Sequence, residues 1–288
     1  MGYNVTDLLG LLDLEPLEHD IYRGLNRDIG TGRVFGGQVL AQSLVAAQRT
    51  VETGRFAHSL HGYFILPGDI AAPIVYFVDR LRDGKSFATR RVTAIQHGRA
   101  IFNMSASFQV LEDGPEHQFE MPHAPPPEDV RSELELIRAR ADAIPDELRT
   151  VLTQDRPIDF RPIAPVDPFA PEKRAPGRML WLRANGTMGE DVLAHQAVLA
   201  YASDYGLLAT ALLPHALSIY TANLQVATLD HALWFHRPFR ADEWLLYVMD
   251  SPAAAGARGF SRGSIYARDG ALVASVAQEG LTRVRGPS

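Results

Sequence analysis

The sequence predicts an α+β protein made of two fused copies of one unit, each an antiparallel sheet wrapped around a central helix. Two observations support this fold. First, the chain repeats itself: residues 57–67 (AHSLHGYFILP) align with residues 228–238 (TLDHALWFHRP), which matches Phe64 to Phe235 at an offset of 171 residues. Second, each copy places one apolar helix ahead of several long strands.

The strands that follow the two aligned segments have the same order in both halves. Each half continues with a strand pattern (PIVYFVDRL, then EWLLYVMDS), a turn region that contains glycine, and a β-hairpin (RVTAIQHGRAIFNMSASFQV, then RGSIYARDGALVASVAQEG). The hairpins have His97-Gly98 and Asp269-Gly270 at their turns, and such pairs favour tight connections. The pattern therefore predicts antiparallel sheets.

A helix precedes the strands in each half, namely FGGQVLAQSLVAAQRTV in the first and residues 195–213, HQAVLAYASDYGLLATALL, in the second. Apolar residues lie nearly all round both helices, which is typical of a helix enclosed by other elements. A curled antiparallel sheet around a buried helix is the hotdog fold. The sequence therefore predicts a double hotdog.

Proline marks the boundary between the two units. Residues 113–176 contain twelve of the nineteen prolines, and repeated proline excludes a continuous helix or a central strand. We predict an N-terminal hotdog over residues 1–112, a proline-rich linker over residues 113–156 and a C-terminal hotdog over residues 157–288. Residues 128–144 of the linker are predicted to form an exposed amphipathic helix, and short strands are predicted at residues 158–161 and 178–185.

Composition restricts the class of protein. Of 288 residues, 46% are hydrophobic and 22% are charged, as in globular domains, and the formal net charge is −6. This charge argues against a nucleic-acid partner and provides no basic patch for a membrane surface. The absence of cysteine excludes disulfides, thiolate catalysis and sulfur-ligated zinc. With no signal-peptide pattern and no apolar run long enough to cross a bilayer, we expect a cytoplasmic protein.

The sequence contains no pattern for a cofactor or a metal ion. Phosphate-binding loops of the G-x-x-x-x-G-K-[ST] and G-x-G-x-x-G types are absent, and no spacing of metal ligands is convincing. His231 and His236 lie on one predicted strand, where their side chains point to opposite faces. We expect the protein to need neither a cofactor nor a metal.

Asp204 is the most informative single residue, because it lies inside the predicted helix 195–213. Its side-chain neighbours on that helix are largely apolar, namely Ala200, Tyr201, Leu207 and Leu208. Burial of an unpaired carboxylate is strongly unfavourable, so Asp204 either has committed hydrogen-bond partners in the core or is present for its chemistry. The pattern alone leaves both interpretations open.

Other polar residues carry weaker signals. Gln278 ends an otherwise apolar strand face, which is explained equally well by an ordinary strand-end amide. Thr228 starts a predicted strand, where a threonine is normally present for its strand propensity, so the pattern alone does not select it. Ser261 lies in a G-x-S-x-G pattern, yet a nucleophile elbow needs a following helix and here a hairpin follows. We interpret the remaining polar candidates as hydrogen-bonded structural residues: Asp230, His231, His236, His58 and His61.

Taken together, these segments resemble the acyl-CoA thioesterase II family over nearly the whole chain. The resemblance rests on VFGGQVLAQ, HGYFILPGD and LRDGKSFATRRV in the first half, and on RANG, HQAVLAYASD, ATLDHALWFHRPF, EWLLY and ASVAQEG in the second. It implies the double hotdog fold and an active site of three polar residues, which fall here on Asp204, Thr228 and Gln278. The first half offers Ala57 and Ser107 at the corresponding places, so one complete site per chain is expected.

The resemblance implies hydrolysis of fatty acyl-CoA to free fatty acid and CoA. Asp204 would accept a proton from a bound water or orient it, and Thr228 and Gln278 would hold that water. A backbone N–H near residues 35–38 would stabilise the oxyanion, and the acyl chain would occupy an apolar tunnel between helix and sheet. The candidates for binding the CoA phosphates are Lys85, Arg90 and Arg91.

Two alternatives stay open. A hydratase or dehydratase of the same fold would act on an acyl thioester with His58 or His231 as its base. A non-catalytic acyl-CoA binding protein would need no reactive residues. The exposed sheet edges and the family resemblance also lead us to expect a homo-oligomer.

Overall fold

The computed structural model describes residues 3–30 and 32–285, and its strands form one antiparallel sheet of 13 strands. Residues 1–2, 31 and 286–288, which the predicted terminal units include, lie outside the described residues. The helices are α1 (Val5–Leu12), α2 (Gly36–Gln48), α3 (Glu133–Arg138), α4 (Asp146–Leu152), α5 (Val192–Ser203) and α6 (Leu207–Thr210). The strands are β1 (Glu15–Glu18), β2 (Ile21–Gly24), β3 (Arg55–Phe64), β4 (Ile74–Asp83), β5 (Phe87–Gln96), β6 (Arg99–Val110), β7 (Ile158–Pro162), β8 (Gly177–Ala184), β9 (Leu224–Thr228), β10 (Asp230–Phe235), β11 (Leu245–Ala255), β12 (Arg258–Ala267) and β13 (Leu272–Val284).

The two halves of the sheet have the same strand order. The order β3-β6-β5-β4-β2 in the first half corresponds to β10-β13-β12-β11-β8 in the second, and the halves join where β3 pairs with β10. In that pairing His61 lies opposite Ala232, which is its counterpart at the 171-residue offset of the repeat. The halves are therefore related by an approximate twofold axis, and the predicted double hotdog is confirmed.

Helices α2 and α5 pack against each other inside the curled sheet. Gly37 permits the close approach, because a Cβ on this residue would lie 2.3 Å from the carbonyl oxygen of Tyr201. The buried Gln196 side chain is paired at both ends of its amide, since it donates to the carbonyl of Ala57 at 2.7 Å and accepts from the N–H of the same residue at 3.2 Å. Residues Val192–His215 are apolar enough to span a bilayer by length and composition. However, 67% of the 18-residue window that meets this criterion is buried in the fold, as expected of core helices.

The helix that carries Asp204 is shorter than predicted. The expected single helix over residues 195–213 is wrong, because α5 ends at Ser203 and α6 begins at Leu207. Gly206 lies between them with φ 79°, a left-handed conformation that stops the first helix. Asp204 is consequently the C-cap residue of α5 and not one of its interior residues.

Thr228 was predicted to start a strand, but it is the last residue of β9. Both β9 and β10 pair with β13, and the register moves by one residue between Gly280↔Thr228 and Ala232↔Ala277. Leu229 lies at the break, where its N–H donates to the carbonyl of Glu279. A break of this kind bends a strand and redirects the side chains beside it, here that of Thr228.

Residues 111–157, hereafter the connecting segment, contain no helix of the predicted length. The helix predicted over residues 128–144 is reduced to the six residues of α3 and a 3₁₀ turn at Ala141–Ala143, and α4 follows this range. Ser132 begins α3 with a capping box, in which its hydroxyl accepts from the N–H of Glu135 at 3.0 Å. The strands predicted at residues 158–161 and 178–185 are confirmed as β7 and β8.

Candidate active site

Asp204 lies where the C-terminal end of α5 meets the first turn of α2. A Cβ on Gly36 would lie 2.7 Å from Asp204 Oδ2, so glycine is needed for the carboxylate to approach the helix this closely. The backbone N–H of Gly37 donates a hydrogen bond to the same carboxylate. A negative charge at a helix N-terminus is favourable, because the first N–H groups and the helix dipole both point toward it.

The structure brings the three residues of the predicted site together. Gln278 Nε2 donates to Asp204 Oδ1 at 2.8 Å and to Thr228 Oγ1 at 2.8 Å, so both hydrogens of its amide are used. Thr228 also contributes a hydrogen bond to the Asp204 carboxylate. The carboxylate at the end of α5 is therefore fixed by side chains from β9 and β13 and by the backbone of α2.

Burial raises the pKa of Asp204 from 3.8 to about 6. Its side chain is only 6% exposed, and removal of water disfavours the charged form. The hydrogen bonds from Gln278, from the Gly37 N–H and from Thr228 lower the pKa, but they do not offset the burial. The result is a carboxylate that is mostly ionised at pH 7 and still basic enough to accept a proton.

Asp204 and Thr228 face a cavity of about 1150 Å³. Phe35, Gly36 and Phe64 line it beside the carboxylate. The connecting segment contributes apolar side chains to the lining, namely Leu136, Ile137, Leu148, Val151 and Leu152. A segment predicted to be an exposed linker thus forms one side of the site.

A polar cluster attaches the connecting segment to the residue that follows Asp204. Tyr205 donates a short hydrogen bond to Glu133 of α3, and Arg156 Nη1 lies 2.6 Å from the same Glu133 carboxylate. The Tyr205 ring also stacks on Phe160 of β7 at 4.0 Å. This cluster fixes the chain beside Asp204. Sequence reasoning missed it because its members lie 72 and 49 residues away from Tyr205 along the chain.

Arg90, one of the cations predicted to bind the CoA phosphates, is buried at the position of the first half that corresponds to Ser261 in the second. Arg90 is 1% exposed, and its guanidinium donates to Thr50 Oγ1 at 2.7 Å and to Asp83 Oδ1 at 2.6 Å. The prediction that Arg90 is an exposed ligand for CoA phosphates is therefore wrong. Lys85 and Arg91 are exposed, but neither is among the described residues that line the cavity.

His231 is buried beside Asp204 but is not suited to be a base. The Ser203 hydroxyl donates to the carbonyl of Ala200, so it can only accept from His231 Nε2 at 2.9 Å. Nδ1 is then unprotonated and lies 4.0 Å from Asp204 Oδ1. Burial lowers the pKa of His231 to about 3, and the residue is not among those described as lining the cavity.

His58, the other candidate base of a hydratase, is also away from the cavity. Its Nε2 lies 2.8 Å from Ser107 Oγ, and its ring contacts Phe87 edge-on at 5.7 Å. Burial lowers the pKa of His58 below its usual value. Neither histidine therefore has a position from which to act on a ligand in the cavity.

The G-x-S-x-G pattern has a packing explanation. Its three small residues lie on the inner face of β12, an uninterrupted strand, so no nucleophile elbow forms. A Cβ on Gly259 would lie 2.5 Å from Ala211 Cβ, and one on Gly263 would lie 2.3 Å from the Tyr247 ring. The glycines thus make room for the end of α6 and for an aromatic side chain.

Comparisons with known proteins agree with this fold and identify the family of the chain. The family model for acyl-CoA thioesterase matches residues 148–281, and that for the acyl-CoA thioesterase N-terminal domain matches residues 25–109. The chain is 45% identical to acyl-coenzyme A thioesterase 8 of Mus musculus, covering 96% of this chain and 88% of that protein. It is 40% identical to acyl-CoA thioesterase 2 of Haemophilus influenzae, with 97% and 98% covered.

Among solved structures, an acyl-CoA thioesterase II from Mycobacterium marinum is 43% identical to this chain. The two superpose with a TM-score of 0.78 over 96% of this chain and 98% of that one. Identity at this level over nearly the full length of both proteins shows common descent as well as a common fold. The chain therefore belongs to the acyl-CoA thioesterase II family.

Proposed function

We propose that this protein hydrolyses fatty acyl-CoA to free fatty acid and CoA, with Asp204 as the base that activates a water molecule. The observation that carries the proposal is the Asp204 carboxylate itself. It is buried, its pKa is raised to about 6, and it faces a large, mainly apolar cavity. A base that ionises near the working pH is the kind that general base catalysis requires.

A water molecule is the nucleophile that best fits this cavity. The chain has no cysteine, and Ser261 is not among the described residues that line the cavity. In the reaction, the water oxygen bonds to the thioester carbonyl carbon while its proton passes to Asp204. The C–S bond then breaks, and CoA leaves as a thiolate that recovers the proton.

The first turn of α2 offers the donors for the oxyanion. Phe35 provides no side-chain cap there, and Gly36 lines the cavity directly beside Asp204. The first N–H groups of a helix have no partner within the helix, and glycine allows a ligand to approach the backbone. Because the Gly37 N–H is bonded to Asp204 and the Gln38 N–H to the carbonyl of Phe35, the Gly36 N–H is the candidate oxyanion donor within the expected residues 35–38.

The hydrogen bonds indicate different roles for the three polar residues. Asp204 and Thr228 line the cavity, whereas Gln278 lies behind them and donates both amide hydrogens to these two side chains. Gln278 therefore serves to hold Asp204 and Thr228 in place. This assignment differs from the expectation that Gln278 holds the water directly.

The cavity wall also suggests where the two parts of the substrate bind. The apolar side chains of α3 and α4 are suited to the acyl chain. Arg140 and Arg178 also line the cavity and are our candidates for the anionic groups of CoA, in place of the three cations named from the sequence.

The test is thiol release from saturated acyl-CoA substrates, measured with a thiol reagent for the wild type and for Asp204→Asn. We expect hydrolysis by the wild type and a loss of at least about a hundredfold in the variant. Asp191→Asn is the matched control, because Asp191 caps the opposite end of α5 and accepts from the N–H of Leu193 at 3.0 Å. Thiol release no faster than in an enzyme-free blank would refute the proposal, and full activity of Asp204→Asn would refute the role of this residue as the base.

Assembly and cellular location remain proposals. We propose a homo-oligomer, because Tyr63 is 62% exposed and Phe77 is 40% exposed on strands of the sheet. Light scattering at micromolar concentration tests this, and a monomeric mass would refute it. We further propose a cytoplasmic location, which fluorescence of a tagged full-length protein in its native cell would test.

A further inference from the structure

Behind the Asp204 carboxylate, three buried side chains each have a polar atom without a hydrogen-bond partner. The atoms are His231 Nδ1, Gln278 Oε1 and Ser261 Oγ, and they are three of only seven such side-chain atoms among the described residues. Each of these residues is 1% exposed. Buried polar atoms are nearly always paired, so a cluster of three unpaired atoms at one place needs an explanation.

Ser261 and Gln278 face each other across neighbouring strands. They are directly opposed in the antiparallel pairing of β12 with β13. Residues in that relation have Cβ atoms about 4.5–5.5 Å apart. Rotation of the serine side chain, or one water between the two groups, is enough to join the hydroxyl to the amide oxygen.

We propose that Ser261 is a positioning residue for Gln278, whose amide oxygen accepts a hydrogen bond from the Ser261 hydroxyl directly or through one buried water. The bond fixes the amide so that its two N–H groups stay directed at Asp204 and Thr228. Ser261 acts only through Gln278, since neither residue is among those described as lining the cavity. The inference rests on the proposed function, because it matters only if Asp204 and Thr228 carry the reaction.

Ser261 is the available donor for Gln278 Oε1. His231 cannot supply the hydrogen, because its Nε2 hydrogen is committed to Ser203 and its Nδ1 carries a lone pair. The residues on either side of Ser261 are glycines whose space is filled by Ala211 and the Tyr247 ring. The inner face of β12 is therefore closely packed around this one hydroxyl.

The experiment compares Ser261→Ala and Ser261→Thr with Ser264→Ala in the full-length enzyme, using kcat, KM and the pH profile of kcat/KM. Ser264 is the matched control, since it lies three positions along β12 on the opposite face. We expect Ser261→Ala to lower kcat about tenfold with little change in KM, which is the effect of one hydrogen bond. Ser261→Thr keeps the hydroxyl and is expected to retain more of kcat than Ser261→Ala, although its methyl group enters a closely packed face.

The pH profile separates positioning from a general structural role. The Gln278 hydrogen bond lowers the pKa of Asp204, so a loosened amide should move the acidic limb of kcat/KM to higher pH. The titratable groups that face Asp204 from the other strands do not ionise there, since burial lowers the pKa of His231 to about 3 and raises that of Tyr247 well above 10.

A double-mutant cycle with Gln278→Ala completes the test. We expect Ser261→Ala to have no further effect once the Gln278 side chain is gone. An unchanged kcat and pH limb in Ser261→Ala, or an equal loss with and without Gln278, would overturn the role of Ser261 and leave the proposed function standing. Full activity of Gln278→Ala alone would likewise overturn the positioning roles of Gln278 and Ser261, whereas full activity of Asp204→Asn would overturn the proposed function.

Discussion

Replacement of Asp204 by asparagine should stabilise the protein at neutral and alkaline pH while it removes activity. A pKa of about 6 in the folded state, against 3.8 when unfolded, means that the folded protein disfavours the charged carboxylate. At about 1.4 kcal/mol per pH unit, this difference corresponds to about 3 kcal/mol. Asparagine carries no charge, so its burial does not have this unfavourable free energy. The ionised Asp204 therefore lowers the stability of the folded protein.

The sign of the effect follows from proton binding. Between pH 3.8 and about 6, the folded protein retains a proton on Asp204 that the unfolded chain has lost. The free energy of unfolding therefore decreases as pH rises through this window, and the decrease is complete above about pH 7. Below pH 3.8 the carboxyl group is protonated in both states and contributes no pH dependence.

Urea unfolding at several pH values, followed by tryptophan fluorescence, measures this effect. The free energy of unfolding of Asp204→Asn minus that of the wild type should increase by most of about 3 kcal/mol between pH 4 and pH 8. The pH dependence is the decisive quantity, because a constant offset also includes hydrogen bonds that asparagine makes differently. Asp191→Asn, which replaces an exposed carboxylate at the other end of α5, is the control. A difference that is flat or decreases with pH would refute the reasoning.

Four further outcomes are expected. The value of kcat/KM should fall about tenfold per pH unit below pH 6 and level off above it, since Asp204 must be ionised to accept a proton; a profile that is level down to pH 4.5 would contradict this. Thr228→Val should lower kcat about a hundredfold while Thr228→Ser retains most of it, and equal rates in steady-state assays would argue against a role for the hydroxyl. Arg90→Met should lower the free energy of unfolding by about 1–3 kcal/mol, because buried acceptors lose their donor, without changing kcat/KM; reduced affinity for CoA would place Arg90 in the substrate site after all. Leu148→Trp should raise KM for long acyl chains more than for short ones, and identical ratios across chain lengths would remove α4 from the acyl wall.

The overall fold could be predicted because it is repeated. Two copies of one strand pattern, each after an apolar helix, specify the same local structure twice, and the turns at His97-Gly98 and Asp269-Gly270 mark the hairpins. The first pair has φ 49° and 72°, as a two-residue turn of this kind requires, whereas at the second pair only Gly270 has a positive φ, of 93°. What no local pattern contained is the pairing of β3 with β10, which places counterparts of the repeat side by side.

The elements around the site were harder to predict, because tertiary contacts decide them. A single glycine, Gly206, divides what reads as one continuous apolar helix and places Asp204 at its end. The break at Leu229 depends on how β13 pairs with both β9 and β10. This pairing could not be predicted from Thr228, because threonine has good strand propensity anywhere in a strand. The connecting segment looked like an exposed linker because its proline content excludes long helices, yet α3 and α4 form a wall of the cavity.

Arg90 shows a different limit of sequence reasoning. An arginine on a strand is normally exposed, and its charge suggested a phosphate ligand. It is buried because Thr50, in the turn after α2, and Asp83, at the end of β4, supply its partners. The repeat is the pattern that could have identified Arg90 as buried. At the 171-residue offset Arg90 corresponds to Ser261, a small residue on the inner face of β12.

Direct attack of water on the thioester is the central claim, and a single turnover in H₂¹⁸O tests it most directly. With enzyme in excess over acyl-CoA, the released fatty acid should carry one ¹⁸O atom, and the peptide that contains Asp204 should carry none. An unlabelled acid together with ¹⁸O in the Asp204 carboxylate would show that this residue attacks the thioester itself, and would contradict its assignment as a base.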